Sequence, residues 1–293
     1  MKYHIMYKAC NSDLIKAVVL KNLNDKNKSI VMSLFNICLE RGIFPTIWKI
    51  GKVKIVPKPG KVDKTHYKSH RPITLLSVLG KWFEKIVLKR LQCISLQNNW
   101  ISEKQFGFVP GKSCEDALVN IVKKIEGGFD ESKFVLVIFL DISGAFDCCW
   151  HTSILNSLIE KGCEQGYLNI IKSYLSNRVN HLDINKTSKL KKLSRSAPQG
   201  GGFSPFIWDV DFDDCLSLPD EIVDRVDVDS DCQAFADDSE VIVISESLFT
   251  CQNVANEILE HLNRHSKTKK MTYSADKTKA TIFSKKLSLS LLI

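Results

Sequence analysis

The feature that most constrains the fold is an unbroken apolar segment, Phe134–Leu140, which ends at Asp141. An uninterrupted apolar run of this length is typical of a strand that is buried in a sheet. A carboxylate that directly follows such a strand either caps the next helix or faces the tip of a hairpin on a neighbouring strand. The segment therefore predicts a core strand that carries Asp141 at its C-terminal end.

A second pattern is a pair of adjacent carboxylates, Asp237 and Asp238, between a small apolar run and the β-branched segment Val241–Ile244. The pattern predicts a strand, a tight acidic turn and a second strand. Adjacent carboxylates repel each other unless positive charge lies nearby, and Mg²⁺ is a cation that takes carboxylate oxygens. A solvated acidic turn is the alternative for this segment alone. If the turn lies beside Asp141, the three carboxylates form a metal site.

Composition places the chain among globular proteins and excludes several classes. The 293 residues are 44% hydrophobic and 25% charged, enough for one large or two ordinary domains. No apolar run reaches the length of a membrane span, and the N-terminus does not resemble a signal peptide. The ten cysteines contain no Cys-x-x-Cys pair, which argues against a zinc knuckle. We therefore expect an intracellular protein of the cytoplasm or nucleus, without membrane contact or a disulfide partner.

Charge is distributed unevenly along the chain. Up to Glu126 there are 23 lysines and arginines against 9 acidic residues, and after it there are 18 against 24. A basic half beside an acidic half suggests that one side holds a polyanion and the other holds metal ions. Random variation in solvated surfaces is the alternative interpretation.

Periodicity predicts most of the remaining elements. Helical spacing is expected over Ser29–Gly42, Leu79–Leu91, Ser113–Ile125, Ser153–Leu175, Phe206–Leu216 and Val254–Leu262. Strands are expected over Trp48–Val56 and Ala280–Phe283. Two segments show no regular pattern and are expected to be irregular, the basic Lys186–Arg195 and the acidic Leu218–Asp231.

A basic hairpin and a glycine-rich loop are candidate ligand contacts. The alternating strand Trp48–Val56 and the turn after it present Lys54 and Lys58, and Arg71 follows a polar loop. Such a hairpin neutralises a triphosphate if it folds over one, although surface lysines also serve solubility alone. The loop Ala197–Pro205 contains three consecutive glycines, which allow a backbone to approach a base pair or template closely.

Together these segments resemble the reverse transcriptase of non-LTR retrotransposons of the jockey and R1 type. The motifs that carry the resemblance occur in the family's order over nearly the whole chain. They are Val56–Gly60, Tyr67–Leu76, Gln105–Phe108, Leu140–Asp147, Pro198–Gly200, Phe235–Asp238 and Asp276–Thr278.

The resemblance implies an α+β fold, that of a right-hand polymerase with fingers and palm. The palm is expected to be a small antiparallel sheet backed by helices. Residues 1–126 would form fingers with an incomplete N-terminal part, and 127–151 the palm strand with the first carboxylate. Residues 152–196 would supply helices of fingers and palm, and 197–293 the rest of the palm. A thumb would be essentially absent, and no endonuclease domain is expected, which indicates a truncated form.

The resemblance also implies a catalytic set. Asp141, Asp237 and Asp238 would bind two Mg²⁺ ions, with Mn²⁺ as a substitute. Lys277 stands where the family has a lysine proposed to protonate the leaving pyrophosphate, with Lys279 close by.

Nucleotide contacts are implied in the same way. Phe146 would be the aromatic gate beneath the sugar, and Gln199 with Gly200 would contact the incoming nucleotide and the template. Arg71 would contact the triphosphate. The partners would be an RNA template, a DNA primer and dNTPs.

Two departures from the family leave the activity open. Gly202 and Phe203 stand where the family usually has two aliphatic residues, and a glycine costs a helix start up to roughly 1 kcal/mol. Four acids, Asp209, Asp211, Asp213 and Asp214, crowd the next helix, so any that face the core need a partner or a proton. The hypotheses are an active RNA-directed DNA polymerase, a decayed copy that at most binds nucleic acid, and a carboxylate-dependent nuclease on another fold.

Overall fold

A computed structural model describes residues 15–60, 63, 65–66, 69–184, 187–222 and 228–286. The chain divides into two units, each of which is described by itself. The first unit is Met1–Asn98 with Trp150–Ser204, and the second is Asn99–Cys149 with Pro205–Ile293. Part of the predicted polar loop, including Tyr67 and Lys68, lies outside the described residues.

Helices occupy most of the segments where helical spacing predicts them. They are α1 (Ala17–Lys21), α2 (Asp25–Glu40), α3 (Val78–Gln97), α4 (Cys114–Asp130), α5 (Ala145–Cys148), α6 (His151–Glu160), α7 (Gln165–Leu175), α8 (Phe203–Ile222) and α9 (Leu248–Thr268). The predicted start at Ser113 is confirmed, because its hydroxyl and the Asp116 carboxylate form a reciprocal capping box.

The strands form two sheets. They are β1 (Ile50–Pro57), β2 (His70–Leu75), β3 (Phe134–Asp141), β4 (Arg178–Ile184), β5 (Thr187–Leu193), β6 (Val228–Phe235), β7 (Asp238–Ser245) and β8 (Lys279–Phe283). The first unit has the order β2-β1-β4-β5, and the second has β6-β7-β3-β8. Every pair in the second sheet is antiparallel, whereas β1 and β4 of the first sheet are parallel.

The first unit is built on an aromatic core. Phe35, Phe44, Trp48, Phe83 and Tyr174 are each at most 4% exposed. Their ring centroids lie 5.1–6.0 Å apart in edge-on and tilted pairs. Such pairs stabilise a core beyond the burial of their area, so α2, α3 and α7 are held together where these rings meet.

The second unit is organised around β3, as its apolar sequence predicts. β3 lies between β7 and β8, and four of its side chains, Val135–Ile138, are at most 5% exposed. Ile121 of α4 packs against Val135 and Val137, and α9 packs against β3 and β7. The predicted α+β architecture, with a small antiparallel sheet backed by helices, is confirmed.

Both segments expected to be irregular contain regular structure. β4 and β5 form a hairpin over part of Lys186–Arg195, and β6 begins inside the expected acidic loop. The β5 edge strand has no buried face, since Leu190 is 71% exposed, and so it lacks the alternation that marks a strand. In β6 the acidic Asp231 is accommodated by ion pairs with Lys104 (2.9 Å) and Lys124 (2.8 Å).

The acids of α8 meet the requirement for partners or protons in different ways. Asp211 is paired with the buried Lys269 at 3.3 Å, and Asp213 accepts a hydrogen bond from the Ser102 backbone N–H. Asp209 is 1% exposed, and its Oδ1 has no hydrogen-bond partner. Burial and the nearby Asp213 charge raise the pKa of Asp209 well above its ordinary value. The folded state therefore favours the protonated form of Asp209 more than the unfolded chain does.

Two further findings concern the described residues alone. None of the helices described is both long enough and apolar enough to cross a membrane. Every cysteine in the described part of the chain is free of a disulfide.

Asp209→Asn is expected to stabilise the fold at neutral pH, because the raised pKa of the buried carboxyl penalises folding above the unfolded pKa and the amide has no charge to bury. The folded pKa is raised, so the wild-type chain loses stability as pH rises above the unfolded value of about 4. Thermal unfolding from pH 4 to 8 measures this: the advantage of the variant should grow with pH. Asp276→Asn, on an exposed turn, is the control. An equal change in both variants would contradict the assignment.

Candidate active site

The second unit brings two of the predicted carboxylates together through strand register. β3 and β7 are antiparallel, and Asp141 is the direct partner of Asp238 at their common end. Direct partners in an antiparallel pair project from the same face of the sheet. Asp237 lies in the turn between β6 and β7, one residue before Asp238.

The backbone of Asp141 also fixes the position of the predicted lysine turn. The Asp141 carbonyl accepts a hydrogen bond from Ser274 N–H at 2.8 Å, and Ile142 forms an isolated bridge with Tyr273. This docking delivers Lys277 to the carboxylate: its Nζ lies 2.7 Å from Oδ2 and 3.0 Å from Oδ1 of Asp141. Lys279 follows at the start of β8 and is exposed.

A cavity of about 390 Å³ opens at this end of the sheet. Its lining is acidic on the strands and basic on the turn, and consists of Phe139, Leu140, Asp141, Asp238, Ser239, Glu240 and Lys277. Glu240 is a member that the sequence patterns did not identify. Burial, reinforced by the charge of Asp238 and opposed by a bond to Gln233, raises the pKa of Glu240 to about 7.

The electrostatics of the turn favour a bound cation. Burial raises the pKa of Asp237, and the charges of Asp238 and Asp141 raise it further. Burial and the charge of Asp141 likewise raise the pKa of Asp238, while Lys277 lowers it. Positive charge lowers the pKa of each of these carboxyls, and Lys277 supplies one unit of it.

The donor set fits a hard divalent cation by chemistry, because it offers carboxylate oxygens that are crowded by like charge. Among the residues that the structure describes, no three His, Cys, Asp or Glu side chains are grouped as ligands of one ion. At Asp141 the Lys277 ammonium lies beside both carboxylate oxygens instead. A cation that used this carboxylate would have to displace that ammonium.

Phe146 belongs to an aromatic row in the same unit. Its ring lies 6.1 Å from that of Phe108 and 5.9 Å from that of Trp208, and it is half-buried. Gly144, at φ +64°, is the N-cap residue of α5 and makes the turn between β3 and that helix. Phe146 therefore lies in the first turn of α5, a few residues after Asp141.

The predicted phosphate contacts lie in the first unit. Lys54 pairs with Ile73, and Arg71 pairs with Val56, so Lys54 and Arg71 share one face of the β1–β2 hairpin and are exposed. Lys58 follows β1, and its backbone N–H donates to the Ser69 carbonyl at 2.8 Å. Their roles stay predictions.

The Gln199–Gly200 turn is anchored to the same hairpin. Thr74 of β2 donates its backbone N–H to the Gln199 carbonyl at 3.0 Å. Gly200 has a φ of +116°, which only glycine adopts readily. At the next position a Cβ would lie 2.2 Å from the Tyr174 hydroxyl oxygen, so Gly201 is required by close packing.

Glu84 is a contributor to this turn that sequence patterns missed. It lies on α3, is 1% exposed, and its Oε2 accepts backbone hydrogen bonds from Gly202 and, at 3.3 Å, from Phe203. These bonds satisfy free N–H groups at the start of α8. Burial raises the pKa of Glu84, and the nearby Arg178 opposes this. The sequence offered one signal for this role: Glu84 stands on the apolar side of the helical pattern of α3, where an apolar residue is expected.

Lys277→Ala is expected to bind Mn²⁺ more tightly than the wild-type chain, by roughly threefold to tenfold, because the ammonium no longer competes for Asp141. Electron paramagnetic resonance of free Mn²⁺ measures the dissociation constant. Lys279→Ala, at the start of β8, also removes one lysine charge and is the control. It should change the Mn²⁺ affinity less than Lys277→Ala does. Weaker binding by Lys277→Ala would show that the ion pair does not compete with a cation.

Comparison with known proteins places the chain among polymerases of mobile elements. The sequence profile of the reverse transcriptase (RNA-dependent DNA polymerase) family matches residues 56–291. The RNA-directed DNA polymerase from mobile element jockey of Drosophila melanogaster is 29% identical over 272 residues, 92% of this chain and 29% of that protein. A putative 115 kDa protein in the type-1 retrotransposable element R1DM of the same fly is 31% identical over 216 residues, 73% of this chain and 20% of that protein. The chain thus spans less than a third of these relatives.

Solved structures agree on the fold. An apo telomerase from Candida tropicalis, truncated from its C-terminal domain, has a TM-score of 0.60 at 12% identity, covering 88% of this chain and 55% of that one. With the profile match over most of the chain, the predicted resemblance is confirmed. The chain belongs to the reverse transcriptase (RNA-dependent DNA polymerase) family, has its α+β fingers-and-palm fold, and is related to the polymerases of non-LTR retrotransposons.

Proposed function

We propose that this chain is the polymerase core of an RNA-directed DNA polymerase from a mobile element, which extends a DNA primer with dNTPs on an RNA template. The observation that supports the proposal most directly is the pairing of Asp141 with Asp238 at one end of the β3–β7 ladder. Asp237 precedes Asp238 in the turn, and Lys277 faces Asp141. The second unit would be the palm and the first unit the fingers.

Reverse transcriptases generally use divalent metal ions, and the finer proposal is that Asp141, Asp237 and Asp238 hold two Mg²⁺ ions. Bound there, such ions supply activation of the attacking hydroxyl and stabilisation of the leaving oxygen. The raised pKa values of Asp237 and Asp238 support this, because a cation would recover the cost of keeping crowded carboxylates ionised.

The chain's own residues would position the substrates. Lys277 would exchange its contact with Asp141 for the leaving pyrophosphate and donate a proton there. Phe146, fixed between Phe108 and Trp208, would lie beneath the sugar and exclude a 2′-hydroxyl. In this reaction the protein contributes position and charge rather than a covalent intermediate.

The first unit has candidate phosphate contacts of its own. Arg71 and Lys54 present two positive charges on one face of the β1–β2 hairpin, which suits a triphosphate or the nucleic-acid backbone. Lys58 would add to the nucleic-acid contact. Gln199 and Gly200, anchored to β2 through Thr74, would contact the nucleotide and template.

Template binding is supported by a neighbour of known structure. The telomerase from Candida albicans, solved in complex with a TWJ fragment of telomeric RNA, has a TM-score of 0.55 at 13% identity over 87% of this chain and 46% of that one. By analogy we propose that this chain binds template and primer mainly through backbone and shape. Such binding weakens as salt concentration rises.

A copy that keeps the fold without catalysis is the second candidate. The unpartnered Oδ1 of the buried Asp209 favours it, because an uncompensated acid in α8 is a destabilising feature. The other departures do not, since Gly202 donates its backbone N–H to Glu84 and Asp211 is paired with Lys269. Primer extension separates the two candidates.

Asp237→Asn is expected to lower primer extension on poly(rA)/oligo(dT) with Mg²⁺ or Mn²⁺ by at least about a hundredfold, because it removes a proposed metal ligand. Extension measured by gel against the wild-type chain tests this. Glu246→Gln, an exposed acid just beyond the far end of β7, is the control and should remain close to wild type. Duplex binding without extension by the wild-type chain would favour the inactive copy.

Phe146→Ala is expected to raise ribonucleotide incorporation relative to deoxyribonucleotide by about tenfold or more, because the ring no longer excludes the 2′-hydroxyl. The measurement is the ratio of kcat/KM for UTP to kcat/KM for dTTP. Phe249→Ala removes an exposed ring at the start of α9 and should leave the ratio unaltered. An unchanged ratio in Phe146→Ala would refute the gate.

A further inference from the structure

The residue before the acidic pair has an unfavourable backbone conformation. Ala236 has a φ of +64°, in the left-handed region. For a residue with a Cβ this region is disfavoured by roughly fivefold to thirtyfold in an equilibrium constant. The turn that carries Asp237 and Asp238 therefore does not hold its shape through local preference, and other contacts must maintain it.

The side chain of Gln105 supplies those contacts. Its Oε1 accepts the backbone N–H of Ala236 at 2.9 Å, and its Nε2 lies 3.3 Å from the Ala236 carbonyl oxygen, to which it donates. One amide thus binds both polar groups of the left-handed residue. Trp208 donates its indole N–H to the same carbonyl at 3.1 Å. Gln105 is completely buried, so water does not compete for these bonds.

The backbone around Gln105 is docked beside β6 to make this possible. Phe106 N–H donates to the Ala234 carbonyl at 2.7 Å, and Ala234 N–H donates to the Lys104 carbonyl at 2.9 Å. Gln105 Oε1 also accepts Gly107 N–H at 2.8 Å. A Cβ at position 107 would lie 2.1 Å from the Ala236 nitrogen, so the approach requires glycine. This accounts for the glycine of the Gln105–Phe108 motif.

We infer that Gln105 is a positioning residue for the reaction: it holds Ala236 in the left-handed conformation and thereby sets Asp237 and Asp238 for divalent cations. The inference rests on the proposed function. Gln105 touches neither carboxylate in this role, and it acts through the backbone of Ala236.

A second buried glutamine provides a matched comparison. Gln233 is also 0% exposed and lies on β6, three residues before Ala236. Its amide bonds to α4, at the Ala117 carbonyl (3.0 Å) and at Asn120 (2.5 Å), and its side chain also bonds Glu240 of the cavity lining. Removing either amide costs buried hydrogen bonds, but only the loss of Gln105 releases the turn. A purely structural role would make the two substitutions equivalent.

The experiment is a double-mutant cycle on the full chain. Gln105→Ala and Ala236→Gly are made singly and together, and the Mn²⁺ dissociation constant is measured by electron paramagnetic resonance alongside kcat/KM for dTTP. Gln105→Met, which retains the volume of the side chain and removes its hydrogen bonds, replaces Gln105→Ala if that variant does not fold. Gln233→Ala is the control.

We expect Gln105→Ala to weaken Mn²⁺ binding by about tenfold, since the turn then populates other conformations. In the Ala236→Gly background the same substitution should cost only about threefold, because glycine adopts the left-handed conformation without the penalty. Gln233→Ala removes a bond to Glu240, which is not a proposed metal ligand, and leaves the turn in place. It should therefore weaken Mn²⁺ binding less than Gln105→Ala does, by no more than about threefold.

Equal losses in both backgrounds, or a loss of affinity in Gln233→Ala equal to that in Gln105→Ala, would overturn the inference. Failure of the proposed function has a different signature. In that case the wild-type chain does not extend a primer, and Asp237→Asn leaves the Mn²⁺ affinity unaltered. Metal affinity and polymerisation thus report on the two proposals separately.

Discussion

The register between β3 and β7 is the constraint on which the rest of the second unit depends. It pairs eight successive residues, from Phe134 with Ser245 to Asp141 with Asp238. A shift by one residue would turn the side chains of one strand to the opposite face. The apolar residues that face Ile121 of α4 would then leave the core, and the carboxylates would separate. The free energy of burying β3 therefore also holds Asp141 opposite Asp238.

The carboxylates remain close despite their mutual repulsion because the fold supplies a counter-charge. Lys277 reaches Asp141 through a turn that is hydrogen-bonded to the Asp141 backbone itself, so the lysine is held beside its partner. Burial first, and the neighbouring carboxylates second, raise the pKa values of Asp237, Asp238 and Glu240.

The sequence predicts those parts of the fold whose residues form a recognisable pattern along the chain. The run Phe134–Leu140 and the segment Val241–Ile244 are continuous apolar runs of strand length, rich in β-branched residues, and both are strands. The β4–β5 hairpin has no such signature, because an edge strand such as β5 with Leu190 in solvent gains little from burial. The acids of β6 are typical of a loop when the sequence is considered alone. A strand accommodates Asp231 because Lys104 and Lys124, which are distant in the sequence, form ion pairs with it.

The same limit applies more strongly to the candidate site. The acids of the turn are recognisable as a local pattern, whereas the groups that shape the turn are distant in sequence. Gln105 is 131 residues from Ala236, and its amide matches one particular backbone conformation rather than a residue type. Glu84 lies 118 residues before Gly202 and likewise binds main-chain N–H groups. Because a main-chain hydrogen bond places no demand on the side chain that it meets, it leaves no pattern at the second position. In this chain, local motifs thus identify which acidic and glycine-rich turns are present, while the conformation of those turns depends on remote, buried polar side chains such as Gln105 and Glu84.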